Sequence, residues 1–420
     1  MLKPQTSAAL FVGLYFLVVT GQVALASEVE EDEITEITVS AQRVANTQPA
    51  GTYASVATTL RFDPLTELQS RGLAEGQSDV TVRGGVFENT GFKLGAATVM
   101  DPQTGHYVAE LPVDPALLSA PAILQGIDGA VEGFNSAIAT VAFAIRPVTT
   151  GGEITAGAGN ANLNFQSIRI GHESDAGFGF AVTASRSAGD GTVTYGDHAF
   201  ARYNVQLQWR GAAVQTDLLV AYQDKFFGWP GAYTGFASLP ETDDTQTTLV
   251  FFNQRREGSR GWFEYGAYYR SLEDDYDFNR LDFETGEPGS FEHETKVSAV
   301  GFQGLQRTGK VAWRFGGQFS KDELVRSTDL TNGPFADRTY ATVTLIPSVD
   351  VPLADGSVLT WRAGITSDYS NRDGSRILPL AGLSLSQERV SGSTTWELEY
   401  AATSQLPGYT ALASNPDGLF

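Results

Sequence analysis

Two acidic clusters are the residues whose types and spacing come nearest to chemistry: Asp243 with Asp244, and Asp274 and Asp275 with Asp277. Hard cations such as calcium take several oxygen ligands converging from a shaped loop, so a structural calcium is one reading of these aspartates and a solvated acidic loop is the other. Just before the first cluster, Phe226, Phe227, Trp229 and Tyr233 crowd a short Gly- and Pro-containing stretch, which suits contact with a large planar or apolar ligand or anchoring at an interface. Nothing else has the pattern of an active site. The four histidines, His106, His172, His198 and His293, are scattered without metal-ligand spacing, and are expected in solvated or loop positions. The absence of cysteine removes thiolate chemistry and disulfides together. Gly157-Ala158-Gly159 and Gly177-Phe178-Gly179 lack the third glycine and the helix of a dinucleotide loop. No catalytic residue and no other cofactor is expected.

The elements that carry these residues follow from composition and order. Lys3, the apolar run Ala8 to Thr20 and Ala24-Leu25-Ala26 form a cleavable export signal over residues 1–26. The run is about 13 residues, short of the roughly 20 that a membrane helix needs. The formal charge of -21 argues against nucleic acid as a partner. The chain contains 25 Phe, 15 Tyr, 6 Trp and 45 Gly, the mixture of an aromatic, turn-rich β protein. A mean hydropathy of -0.14 suits strands that are apolar on one face only.

Four regions are expected. Residues 27–43 form a tail that opens on the acidic run Glu28 to Glu36, too charged to pack. Residues 44–148 form a small α+β unit with one helix near Asp114 to Leu124. From residue 149 to 420 the texture changes to alternating segments. In Tyr203 to Arg210 the apolar residues are Tyr203, Val205, Leu207 and Trp209, and in Thr394 to Tyr400 they are Trp396, Leu398 and Tyr400. Phe263, Tyr265, Ala267 and Tyr269 share a face, as do Trp313, Phe315, Gly317 and Phe319. Period two over nine to eleven residues with aromatic ends is the mark of outer-membrane strands; a soluble sandwich would alternate over shorter strands. About 12 strands are counted, with longer connections at Lys225 to Asp244 and Leu272 to Glu292.

These residues resemble the TonB-dependent outer-membrane receptors, in which a plug closes a large barrel. Glu36 to Arg43, EITVSAQR, looks like the energy-coupling box, so that Ile37, Thr38, Val39 and Ser40 would pair with a periplasmic TonB-type protein by strand addition. Asp79 to Gly85, DVTVRGG, is similar to the plug's strand-and-glycine segment and contributes Arg83, Gly84 and Gly85. Phe87 to Val113 looks like the version found near the cobalamin receptors, relatives that use loop aspartates for calcium. Ile123 to Ile145 resembles the closing motif and keeps Gly126 and Gly133, but departs at Gln125, Ile127, Glu132 and Ala139-Thr140, where Arg, Pro, Tyr and a glycine pair are usual. Asp224 to Phe236 has the character of a family loop.

The resemblance implies a mainly β fold: an α+β plug followed by a partial antiparallel transmembrane β-barrel, about 12 of an expected 22 strands. It implies a monomer in outer-membrane lipid, energised uptake of a bulky scarce nutrient, either a cobalamin-like corrinoid or a metal chelate, and a wall that stops midway round. The alternative is a surface binding or structural protein that keeps this architecture without transporting.

Overall fold

A computed structural model describes residues 52–71, 75–281, 290–330, 336–389 and 392–413. The expected signal, the acidic tail and the coupling segment Ile37 to Ser40 lie outside them.

The first unit is built on two small sheets. Strands β1 (Thr66–Arg71) and β2 (Gln77–Val82) pair antiparallel. Strands β3 (Thr90–Leu94), β4 (Ala97–Val99), β5 (Ala122–Leu124) and β6 (Ala139–Phe143) form a second sheet in the order β4-β3-β6-β5, with β3 and β6 parallel. Every residue of β2 and β3 is buried, because these strands are covered on both faces. The helix expected at Asp114 to Leu124 is not there. Asp114 instead caps a single 3-10 turn, Pro115–Leu117, accepting from the Ala116 amide at 2.9 Å. Pro121 lacks an amide proton and disfavours helical backbone at Ala120, so the chain continues as β5. The helix, α1, follows at Gly126–Glu132.

The second unit is one sheet of thirteen antiparallel strands, one more than the sequence count, with neighbours in chain order. They are β7 (Gly151–Ala158), β8 (Asn164–Glu173), β9 (Phe178–Gly189), β10 (His198–Gly211), β11 (Val214–Pro230), β12 (Pro240–Gly258), β13 (Gly261–Asp277), β14 (Ser290–Thr308), β15 (Val311–Ser327), β16 (Asp337–Pro352), β17 (Val358–Ser370), β18 (Gly374–Arg389) and β19 (Gly392–Ala401). Strands β7 and β19 are its two edges. Connections alternate: two-residue turns at 212–213, 259–260 and 309–310 face longer ones at 190–197, 231–239 and 278–289. The two expected long connections shrink because their flanks pair as strand, for example Lys225 with Thr245 and Asp244 with Asp275.

The wall wears its polarity reversed. Along β10, Tyr203 and Leu207 are 55% and 50% exposed, whereas Arg202, Asn204, Gln206 and Gln208 are buried against the first unit. A sheet that turns apolar side chains outward and polar ones inward is stable only where lipid meets one face and a wet or polar lumen the other. No helix among the described residues is long and apolar enough to cross a membrane. The first unit sits in the concave side of the wall as a plug. Plug residues Leu60, Val80, Phe92, Leu94, Val141 and Phe143 share one apolar cluster with wall residues Leu219, Leu249, Phe251 and Val297. After β19 the chain turns back over the plug: the Leu406 amide donates to Asn135 Oδ1 at 2.6 Å, and the Tyr409 amide, opening helix α2 (Tyr409–Ala413), donates to the Pro102 carbonyl at 2.8 Å.

Candidate functional site

Strands β11 to β14 run 17 to 19 residues, and at the ends that bear the long connections they turn carboxylates and tyrosines toward the plug. Tyr107 of the plug donates to Asp274 Oδ1 at 2.7 Å and lies 3.2 Å from Asp243 Oδ2. Tyr233, from the 231–239 connection, donates to the same Asp243 oxygen at 2.5 Å. Gln103 donates to Asp274 Oδ2 at 2.7 Å, and His293 bridges Asp274 and Asp329 at 3.1 and 2.7 Å. On the plug side Asp79 is held by Arg71 at 2.9 Å, His106 Nδ1 at 2.8 Å and Gln77 at 3.1 Å. Burial acts to raise the Asp79 carboxyl, but His106 and Arg71 outweigh it and hold it below the ordinary range. Burial and the facing Asp243 and Asp274 push the Tyr107 phenol well up, so it remains a donor.

Half-buried rings form a path across this junction. Phe87 stacks on His106 at 4.6 Å between centroids, His106 meets Tyr233 edge-on at 5.6 Å, and Tyr233 meets Tyr276 at 5.0 Å. The Arg71 guanidinium lies 4.7 Å over the Tyr233 ring. Rings flanked by hydrogen-bonding side chains at the junction between plug and wall can hold a ligand and read its orientation.

The sequence-predicted residues are partly brought together. Asp243 and Asp274 are buried at the junction, but they lie on strands rather than in outward loops. Asp244, Asp275 and Asp277 occupy the alternate positions of the same strands, so the five carboxylates do not converge, and among the described residues no group of three or more His, Asp or Glu is placed to hold a metal. Of the four aromatics only Tyr233 reaches the site. Phe226 is on the wall's outer face, Phe227 is buried with Tyr53 and Phe200, and Trp229 packs against that trio. Arg83 and Gly84 adopt φ of 50° and 71° in the turn that closes β2, with the Gly85 amide donating to the Val82 carbonyl at 3.0 Å. Gly126, at φ +55°, opens α1, and the Gly133 amide caps it on Gly129 at 2.7 Å. Glu399 of β19 receives the Ile127 amide at 3.1 Å, so this motif docks on the wall.

Sequence reasoning missed Gln103, Tyr107, His106 and His293. Of the four histidines expected in solvated or loop positions, His172 is exposed on the outer face and His106 lies in a connection, whereas His293 and His198 are buried on strands, His198 with Nε2 2.9 Å from Ser187 Oγ. The one local signal was the polar run Gln103 to Tyr107 within the plug.

Ion pairs tie plug to wall beneath this site. Glu110 meets Lys225 at 2.7 Å, Asp101 meets Arg270 at 3.0 Å, Asp114 meets Arg202 at 3.3 Å and Glu132 meets Arg314 at 2.8 Å. Buried pairs add little net stability over apolar packing but fix orientation, and removing one partner costs about 3–5 kcal/mol. Lys93 of β3 is buried against Gln303 and the Glu132 carbonyl. Burial pushes its ammonium down to about 8, against the pull of Glu132 and Glu264. An unperturbed lysine titrates at 10.5, so between these values the unfolded chain binds more protons than the docked plug. Docking is therefore expected to strengthen as pH rises from about 8 to about 10, by up to ~3 kcal/mol, with the full cost of the buried charge present below pH 8. Urea midpoints of plug unfolding at pH 7.5 and pH 10 check this, and Lys93→Met should flatten the difference.

No protein-family model matches the sequence, and no curated protein matches it significantly. Solved structures share the fold. The FrpB iron transporter from Neisseria meningitidis (F5-1 variant) superposes with a TM-score of 0.64 at 14% identity, over 86% of this chain and 64% of that one. The copper transporter OprC gives 0.62 at 11% identity, over 82% and 59%, and the ferric citrate transporter FecA gives 0.56 at 14%, over 83% and 60%. The chain spans about three fifths of the length of these structures. The architecture is the plug-and-barrel fold of the TonB-dependent receptors, with thirteen strands of wall.

Proposed function

We propose that this chain forms the plug and part of the wall of a TonB-dependent receptor in the outer membrane of a Gram-negative-type bacterium, which takes up a bulky scarce nutrient, a cobalamin-like corrinoid or a metal chelate. The observation that carries this reading is the wall's reversed polarity, together with a plug joined to it by buried ion pairs and hydrogen bonds beside the shared apolar cluster. Hydrogen bonds and ion pairs can exchange with water as a plug shifts, which continuous apolar packing cannot do at comparable cost. Ligand seated on Tyr233 and His106 would loosen the contacts around Asp243 and Asp274. A periplasmic partner paired with Ile37 to Ser40 would then move the plug.

The test is accumulation of radiolabelled cyanocobalamin, ferric citrate and copper by cells expressing the full-length gene, with and without a protonophore. One probe is expected to accumulate above the empty-vector level and to lose that excess when the proton-motive force collapses. Accumulation of none of the three would count against this substrate class. Binding without energised accumulation favours the second reading, a non-transporting surface protein. That reading draws on Glu132, which departs from the usual closing motif and is pinned to Arg314 of the wall.

A further inference from the structure

The geometry points to Thr52 and Tyr53 as the latch on which tension along the N-terminal tail first acts, an inference that rests on the tail being the periplasmic grip. Tyr53 is 2% exposed although it lies at the start of the plug. Its ring packs in the pocket of Phe200, Phe227 and Trp229, with the Phe200 centroid at 5.3 Å and the Arg202 guanidinium 4.7 Å over its face. Its hydroxyl donates to Gln223 Oε1 at 3.1 Å, and Arg202 donates to the Ala54 carbonyl at 2.7 Å. One residue earlier, the Thr52 amide donates to Glu75 Oε1 at 3.1 Å, and its hydroxyl lies 2.8 Å from Ser187 Oγ. Each of these wall residues belongs to β9, β10 or β11.

Their height in the wall gives the latch its mechanical meaning. Phe200 and Phe227 lie near the strand ends that carry the long connections, and the two-residue turn at 212–213 is at the far end of the same strands. From Phe200 down to Gly211 the strand runs about 36 Å at 3.3 Å per residue, or roughly 27 Å in height at a barrel tilt near 40°. From Val39 to Thr52 the chain reaches at most about 43–47 Å. That contour length exceeds the height by about 16–20 Å, so tension applied on the short-turn side reaches the latch once this slack is drawn out. A pull at Val39 therefore loads Thr52 and Tyr53 before any plug strand. Releasing them frees Glu75, two residues before Gln77, which holds Asp79 in the junction described above.

The test is single-molecule pulling on the full-length mature protein in a lipid nanodisc, held by its C-terminal end, with a handle at the start of the tail. Wild type should show an early low-force extension before the plug strands unfold. Tyr53→Ala should lower the force of that first event and leave later ones unchanged, whereas Tyr53→Phe, which removes only the Gln223 contact, should move it little. The chain has no cysteine, so in Thr52→Cys/Ser187→Cys the paired side chains can form one unambiguous disulfide. Oxidised, this variant should lose the first event; dithiothreitol should restore it. A first event of equal force and extension in the oxidised and reduced protein overturns the latch, as does one that Tyr53→Ala leaves unchanged. Neither ligand nor partner takes part, so the result stands apart from the accumulation test of transport.

Discussion

Val39→Pro is expected to reduce energised uptake to background while ligand binding at the cell surface persists. Strand addition draws its affinity from main-chain hydrogen bonds, and proline removes a donor and fixes φ near -65°. Losing one or two such bonds at about 1 kcal/mol each, together with the altered backbone path, gives a fall of tenfold or more. Binding should be spared, since Val39 lies well before Thr52, the first described residue, and the proposed ligand contacts are further on at His106 and Tyr233. Uptake and equilibrium binding of the same labelled probe on the same cells separate the two effects. Unchanged uptake would refute the assignment of Ile37 to Ser40 as the grip.

Gly301→Val is expected to unseat the plug. Gly301 lies on the lumen face of β14, where a Cβ would stand 2.3 Å from the Ala96 carbonyl oxygen. Gly316 of β15 is alike, with the Val131 carbonyl 2.0 Å away. Both obstacles are backbone. The Ala96 position is also held, its amide donating to Asn253 Oδ1 at 3.1 Å. Overpacking of this kind costs about 1–3 kcal/mol before any lost hydrogen bond is counted, which corresponds to a drop in protection of roughly 5- to 150-fold. Hydrogen exchange at Ala97 to Val99 reads it directly. Val300→Ala, one residue away on the outer face, should leave these amides protected, and equal loss in both variants would show that the wall rather than the plug contact had failed.

The wall was legible in the sequence because its two faces meet different surroundings. Tyr203, Val205, Leu207 and Trp209 alternate with polar residues that turn out to grip the plug, and Trp396, Leu398 and Tyr400 alternate in the same way at the far edge. The signal faded where that contrast ends. Pro240 to Gln246 lies beyond the apolar outer band, polar residues stand at successive positions, and the segment reads as loop although it is paired strand. The plug was harder to read for the opposite reason: β2 and β3 are buried on both faces and so show no alternation.

The junction was the least legible part, because its partners are far apart in sequence. Tyr107 meets Asp274 across 167 positions, and Gln103 meets His293 across 190. No local spacing signals such pairs. The acidic clusters did mark the right strands, yet side-chain parity sends Asp243 and Asp274 inward while Asp244 and Asp275 take the other face. A cluster read along the chain is therefore split by the pleat.

The wall's outer face is expected to meet acyl chains, and quenching of tryptophan fluorescence by lipids brominated along their tails tests this most directly. Trp209, Trp361 and Trp396 are 40%, 56% and 60% exposed on that face. In vesicles of such lipids their emission should be strongly quenched, and aqueous acrylamide should have little effect. A protein that stays in buffer as a compact monomer, its tryptophans quenched by acrylamide and untouched by brominated lipid, would contradict the account.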